Sequence, residues 1–408
     1  MLLHGLEFFS GAGGFTLGAV DAGCRVVASA EWEPDAATTA ERAGHVVVRG
    51  DVRQFPYDEI LFPIDLLFGG PPCQPFSEMG AGKGEYDRRD GFPLMLQAID
   101  RIGPRRFCAE NVTGLLSIRY TGYRQKLLAD LRKRFRHVGT WVCNAKNFGV
   151  PQDRERLFIW GAEVALQPPK VTHGPGKDQP WVGVREALPG LGAPAVHVHS
   201  YTAKSRSTSE PSPTIATKGT IYTAGEVGRI FPYDWQKDKR ARRMVPEELK
   251  VLQGFPGSFS FSGTLTSQHR QIGNAVPPPL GEAVTTAMLA GLEAPQLPPD
   301  EVIRRLKRFN PDARLFEPRR TWNRALVGVT NASEHSPGRL VAVYGWEYLR
   351  DIAYEESLKG LRQQGADVEE QEVREQAFGM ASDHVCSNME GVFGKDHPLI
   401  LHMDNPYL

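Results

Sequence analysis

Leu6-Glu7-Phe8-Phe9-Ser10-Gly11-Ala12-Gly13-Gly14 opens the first structural unit of the chain. Leu6 to Phe9 is predicted as a short buried strand, Ser10 to Gly14 as a turn, and Phe15 to Ala22 as a helix. Strand, glycine-rich turn and helix in this order begin a nucleotide-binding α/β unit. The glycines depart from the dinucleotide fingerprint: after Gly11 and Gly13 the third falls at Gly14, and Thr16 stands where the last glycine would be. A turn of this kind still lets a ligand approach the backbone, but a pyrophosphate cradle is disfavoured.

The next predicted strand, Val26 to Ala30, ends at Glu31-Trp32. Glu31 follows Gly11 by 20 residues, the spacing at which an acidic side chain hydrogen-bonds ribose hydroxyls. Trp32 beside it can stack on a purine. Taken alone, the pair reads better as a solvated Glu and a packing Trp; beside the glycine turn the ligand reading prevails. Val46 to Val48 is a third strand, followed by Gly50-Asp51-Val52, where Asp51 can accept an adenine amino group. These features point to an adenosine ligand without phosphates.

The apolar run Ile64 to Phe68 is stopped by Gly69-Gly70-Pro71-Pro72-Cys73-Gln74-Pro75-Phe76-Ser77. Proline fixes its own φ and biases the preceding residue toward extended backbone, so a stiff loop presenting one thiol is expected. The Gly-rich, basic segment 80–91 that follows reads as a plain loop or as a lid. Phe107 to Ala109 is a strand ending at Glu110-Asn111-Val112, which places an acid at the same sheet edge as Cys73. In Pro151-Gln152-Asp153-Arg154-Glu155-Arg156, before the strand Leu157 to Trp160, Arg154 and Arg156 share a face. They read equally well as a clamp on an anion or base edge and as solvated edge-strand arginines. From Pro168 to about Arg243 periodicity fades, and basic residues interleave with aromatics, as on a nucleic-acid surface or in any loop-rich domain. Pro246 to Gln253 is a short helix, Gln271 to Pro279 a tight turn, and Leu280 to Leu292 a helix of small residues.

Composition sets outer limits. The 408 residues suffice for two or three domains, with 41% hydrophobic and 24% charged residues. No apolar run is long enough to span a bilayer, and Met1-Leu2-Leu3-His4 does not begin a signal peptide, so no membrane partner and a cytoplasmic location are expected. The five cysteines form no CxxC pair, which argues for a reducing compartment and against a metal site. The zero net charge hides an asymmetry: residues 1–294 carry 34 Lys and Arg against 30 Asp and Glu, and residues 295–408 carry 14 against 18.

The ordered set of pieces resembles the cytosine-5 DNA methyltransferases. The pieces are Phe9 to Gly14, Glu31-Trp32, Gly50-Asp51-Val52, Pro71 to Ser77, Glu110-Asn111-Val112, Gln152 to Arg156, Arg242 with Leu252 to Pro256, and Gly273-Asn274-Ala275-Val276. The resemblance runs from about residue 5 to residue 292 in the family's own order. It implies an α/β fold: a Rossmann-like catalytic domain at 1–161, a small loop-rich target-recognition region at 162–241, and a return to the catalytic domain at 242–294. Residues 300–408 lie outside it, as an additional C-terminal α+β piece.

By the same resemblance the cofactor is S-adenosylmethionine, leaving as S-adenosylhomocysteine, with no metal. Phe9, Gly11, Ala12, Gly13 and Gly14 hold it, Glu31 takes its ribose, Trp32, Asp51 and Val52 its adenine, and Asn274 belongs to the last piece beside them. Cys73 is the nucleophile that adds to carbon 6 of a flipped-out cytosine, Glu110 serves ring nitrogen 3, Arg156 contacts the base and Arg154 supports it. Gln74, Ser77 and Asn111 contact base or backbone. The expected partner is double-stranded DNA, with the protein a monomer in a restriction–modification system. The acidic tail packs on the catalytic domain, recruits a restriction endonuclease or other protein, or is a plain structural extension. A tRNA cytosine methyltransferase and a non-catalytic DNA-binding relative are the alternatives, the latter disfavoured by the presence of Cys73, Glu110 and Arg156.

Overall fold

The computed structural model describes residues 3–57, 60, 63–72, 90–198, 204–216, 221–224, 228–229, 242–294 and 361. The chain divides into two compact units. One comprises Leu2–Phe55 and Ile64–Leu292; the other gathers Met1, Pro56–Pro63 and Glu293–Leu408. The C-terminal piece expected at 300–408 lies, apart from Leu361, outside the described residues.

The first unit begins with β1 (Leu3–Phe8), α1 (Gly14–Asp21), β2 (Cys24–Glu31), α2 (Pro34–Arg42) and β3 (Val47–Arg49). It continues with β4 (Leu66–Gly69), α3 (Phe92–Ile102), β5 (Arg106–Val112), α4 (Thr121–Arg132), β6 (His137–Asn144) and β7 (Glu155–Ala162). Then come α5 (Val184–Ala187), β8 (Ala195–Val198), β9 (Lys204–Ser207), β10 (Ile221–Ala224) and β11 (Gly228–Arg229). The helices α6 (Pro246–Leu252), α7 (Leu265–Asn274) and α8 (Pro278–Leu289) close it.

Seven strands form one sheet in the order β3-β2-β1-β4-β5-β7-β6. The pairs from β3 to β5 are parallel, and β7 runs antiparallel to both β5 and β6. This is the mostly parallel α/β architecture the sequence predicts. The order reverses between β1 and β4, and in open α/β sheets the crevice outside the carboxyl ends at such a switch point is where ligands bind. Leu6, Leu66, Leu67, Phe68, Phe107, Phe158 and Ile159 are fully buried, as strands covered on both faces require.

Two glycines decide how the chain closes. A Cβ on Gly14 would lie 2.4 Å from the Val276 carbonyl oxygen, and one on Gly18 would lie 2.2 Å from that of Pro278. Spaced four residues apart, they give α1 a bare stripe against which the start of α8 packs backbone to backbone. At the other end of α8, the buried Arg106 donates to the carbonyl oxygens of Met288 and Ala290, acceptors that the helix itself leaves open.

The structure corrects the sequence reading in three places. Helix α2 is absent from that reading because its buried positions, Ala36, Ala37, Thr39 and Ala40, are too small or too polar to produce an apolar period. The stretch from Gln271, expected as part of a tight turn, continues helix α7 to Asn274, and only Ala275 to Pro277 turn. Thr264 caps that helix by accepting from Ser267 N at 3.3 Å. Residues 168–243, where no regular period is visible, hold a second sheet ordered β10-β8-β9-β11. Its strands are two to four residues long, too short for alternation to register.

Candidate active site

The chain leaves β1 through left-handed backbone at Phe9 (φ 58°), Gly11 (57°) and Gly13 (84°). Phe9 is the one non-glycine residue among those described with positive φ, a conformation costing on the order of 1–3 kcal/mol that the surrounding structure must hold in place. Gly11 N donates to Glu31 Oε2 at 2.7 Å, and Glu33 N donates to Glu31 Oε1 at 2.8 Å, so this carboxylate ties the glycine turn to the end of β2. Burial raises the pKa of Glu31, and the same backbone donors work against that rise. Trp32, beside it, is 77% exposed, which leaves its indole face available.

Gly50 N donates to the Glu31 carbonyl at 2.9 Å and brings Asp51 and the buried Val52 alongside. Asp51 accepts from Arg53 N at 2.9 Å, and hydrogen bonds from the Arg53 side chain and backbone hold its pKa below the ordinary carboxylate value. A Cβ at Gly11 would meet nothing within 4 Å, so there is open space over the turn. Two carboxylates, an exposed indole and an open glycine turn at the ends of adjacent strands fit an adenosine-bearing cofactor. Ala12 is buried beside Phe255 and Ala275 in one apolar cluster, and Asn274 ends α7 with its side chain exposed.

Glu7 and Thr16 were not among the predicted site residues. Thr16 Oγ1 donates a short hydrogen bond to Glu7 Oε2 behind the glycine turn, and both residues are 1% exposed. The signal in the sequence was Thr16 itself, standing where the fingerprint has glycine. Burial raises the Glu7 pKa to about 8, partly offset by the Thr16 hydroxyl. Between the unfolded value near 4.5 and about 8 only the unfolded chain is ionised, so Glu7 makes stability fall with rising pH across that window and has no further effect above it. Glu7→Gln should therefore gain on the wild type by up to about 3 kcal/mol between pH 5.5 and 8.5. Denaturant unfolding at the two pH values measures this, and an unchanged gap would contradict it.

At the switch point, a Cβ on Gly69 would lie 1.9 Å from the Phe8 carbonyl oxygen, so only glycine lets β4 run this close to β1. Gly91 likewise leaves room for Pro71 and Pro72, where an added Cβ would come within 2.9 and 2.8 Å. Asn111 is fully buried; its Nδ2 donates to Pro71 O at 3.2 Å and its Oδ1 accepts from Val112 N at 2.9 Å. The side chain thus engages the backbone of Pro71, just after β4. Cys73, Gln74 and Ser77, with the expected lid at 80–91 up to residue 89, lie outside the described residues.

Glu110 is 8% exposed, and its Oε1 lies 2.9 Å from Arg156 Nε. The antiparallel register of β5 and β7 sets Arg156 opposite Val112 and thereby within reach of Glu110. A Cβ at Gly70 would be 3.5 Å from Glu110 Oε2, so the second carboxylate oxygen lies under the start of the proline loop. Burial raises the Glu110 pKa, against the opposing pull of Arg156 and Arg154.

Arg154 differs from Arg156. It is 1% exposed and donates to the carbonyl oxygens of Ile215 (3.0 Å), Gly273 (2.8 Å) and Ala275 (3.1 Å). It is neither an anion clamp nor a solvated arginine: its guanidinium ties the start of β7 to residue 215 and to residues 273–275. Gln152 works alongside, donating to Leu252 O (3.1 Å) and Gln253 Oε1 (2.6 Å) and accepting from Ile215 N (3.0 Å).

Comparison with known proteins places this geometry. The family model described as C-5 cytosine-specific DNA methylase matches residues 3–180 and 177–290. The chain is 32% identical over 315 residues to the Type II methyltransferase M.AplI of Arthrospira platensis, covering 72% of this chain and 88% of that protein. It is 33% identical over 322 residues to M.NgoMIV of Neisseria gonorrhoeae, covering 72% and 99%. The fold is shared with the Entamoeba histolytica methyltransferase EhMeth (TM-score 0.55, 17% identity, 72% of this chain and all of that one) and with S. pombe Dnmt2 (0.54, 18%, 72% and all of it). Matched over most of its first unit by a family whose members methylate cytosine, the chain belongs to the C-5 cytosine-specific DNA methylases and is a DNA cytosine-5 methyltransferase.

Proposed function

We propose that the protein methylates carbon 5 of a specific cytosine in duplex DNA, as the modification enzyme of a restriction–modification system, through a covalent adduct on Cys73. The buried Glu110–Arg156 pair under Gly70 is the observation that carries this reading. The Type II names of the relatives support the restriction–modification setting.

S-adenosylmethionine, the cofactor of this family, supplies an electrophilic methyl group when bound. Phe9 and the turn Gly11 to Gly14 would hold it, with Glu31 on the ribose hydroxyls, Trp32, Asp51 and Val52 at the adenine, and Asn274 nearby. Carbon 5 of cytosine is a poor nucleophile. Addition of the Cys73 thiolate to carbon 6 turns it into an enamine carbon able to attack, the usual gain from covalent catalysis. Glu110, its pKa raised by burial, offers a proton or hydrogen bond to ring nitrogen 3 as charge develops there. Arg156 holds Glu110 in place and faces the base edge. Loss of the carbon-5 proton and β-elimination then release Cys73. A stacked base hides both faces, so the target must leave the helix. Gln74 and Ser77 would meet it, with Asn111 fixing the loop behind them.

In this assignment 1–161 and 242–294 form the catalytic domain and 162–241, with the second sheet, reads the target. Residues 300–408 recruit a protein partner to what is otherwise a monomer acting in the cytoplasm.

Labelled methyl transfer to duplex DNA and to tRNA, followed by sequencing of the modified sites, tests the reading. Label is expected at carbon 5 in one DNA sequence, and label in tRNA alone would overturn it. Asp51→Ala should raise the Kd for S-adenosylmethionine about tenfold, in line with loss of a hydrogen bond to a charged group. Calorimetry showing an unchanged Kd would remove Asp51 from the adenine site.

A further inference from the structure

Asp153 stands between Gln152 and Arg154 and has no part in the chemistry above, yet each of its polar groups is engaged. Oδ1 accepts from Asn144 Nδ2 at 2.7 Å and lies 3.2 Å from Lys146 Nζ, and Oδ2 accepts from Arg206 Nη1 at 2.9 Å. Its N–H donates to Ser212 O at 2.8 Å, and its carbonyl accepts from Thr214 Oγ1 at 2.6 Å. Burial alone would raise its pKa; the hydrogen bonds from Asn144, Arg206 and Lys146 together hold it below the ordinary carboxylate value.

Arg206 lies on β9 in the second sheet, paired with Val196 of β8. Its side chain is 40% exposed, so it is a contact that a ligand on the sheet can disturb. Asp153 lies on the segment that enters β7, three residues before the arginine on Glu110. Gln152 and Arg154 on either side are clamped to residues 215, 252, 253, 273 and 275. A segment held this way has little slack. Among the described residues, Asp153–Arg206 is the ion pair that joins the second sheet to this segment.

We propose that Asp153 is a positioning residue that couples the seating of the second sheet on DNA to the placement of Arg156 against Glu110. It thereby contributes to discrimination between target and non-target sites. This rests on the reading that the second sheet belongs to the target-reading region of a DNA cytosine-5 methyltransferase.

The test uses the full chain. The methylated site is first mapped with wild-type enzyme. Then kcat/KM is measured on that duplex and on a duplex with one base pair changed beside the target. Wild type, Asp153→Asn, Arg206→Met and the double variant are compared, together with the Kd for S-adenosylmethionine and the melting temperature. The ratio of the two kcat/KM values is expected to fall about tenfold in each single variant, with the double variant no lower than either, as for two residues acting through one contact. Cofactor affinity should stay within about twofold. Arg206→Lys, which keeps the charge, should restore most of the ratio, and it carries the test with Arg206→Met should Asp153→Asn not fold. A purely structural role lowers both rates in proportion and leaves the ratio unchanged. That result, or single effects that multiply in the double variant, overturns the proposal. Wild-type enzyme that labels no cytosine in DNA overturns the underlying reading before any variant is compared.

Discussion

Cys73→Ala is expected to lose roughly 10⁴-fold or more of methyl transfer, the scale at which an essential nucleophile is missed, while S-adenosylmethionine binding is retained. The two effects separate because the residues differ in position. The cofactor candidates Phe9, Gly11, Glu31 and Asp51 stand at the carboxyl ends of β1, β2 and β3, whereas Cys73 follows the end of β4 by four residues in the sequence. Without the thiolate, carbon 5 keeps the low nucleophilicity of an aromatic ring, and neither Glu110 nor Arg156 can supply electrons to it. Incorporation of labelled methyl groups and a calorimetric Kd measure the two quantities. Turnover within tenfold of wild type would sink the covalent route.

Arg154→Met should act on stability before chemistry. Methionine is close in volume, but it strips the carbonyl oxygens of Ile215 and Gly273 of a buried donor, while that of Ala275 keeps Gln253 Nε2 at 2.7 Å. An orphaned buried acceptor costs about 1–3 kcal/mol, so a loss of roughly 3–5 kcal/mol is expected after relaxation. In a unit of this size that lowers the melting temperature by about 5–10 °C. Arg156→Met provides the contrast. Its partners are the Glu110 carboxylate at the cleft and the adjacent Glu155 carbonyl, so its melting temperature should move far less while kcat falls. Equal thermal effects from the two substitutions would mean that the structural distinction between them is wrong.

Much of the site is legible in the chain because each piece is local. Phe9 to Gly14, Glu31-Trp32 and Gly50-Asp51 each fall at a strand end, and a strand end can be located from apolar runs and the glycines that stop them. Once the strands are parallel and adjacent, their ends share an edge. Glu110 and Arg156 are legible as residue types but not as a pair, since their contact depends on β7 turning antiparallel beside β5. Asn111 and Arg154 are legible as polar residues but not in their contacts, for a related reason. A polar side chain in a sequence looks the same whether it meets a ligand or satisfies buried carbonyls, and the difference is made by segments up to 121 residues away. Helix α2 and the second sheet escaped because alanines and strands of four residues or fewer leave no period to read.

What the order of residues dictated was the series of strand, turn and acid at the carboxyl ends of β1, β2 and β3, and the glycines and prolines that stop β4. That information lies within stretches of ten residues, where propensity and spacing act directly. Tertiary structure decided the rest. Glu7 and Thr16 became a buried acid–hydroxyl pair, Gly14 and Gly18 became the bed for α8, and the run Gln152 to Arg156 became a junction with residues 110, 144–146, 206–215, 252–253 and 273–275. These roles come from which backbone carbonyls and side chains are brought to within 3 Å, and close packing of distant segments sets that distance.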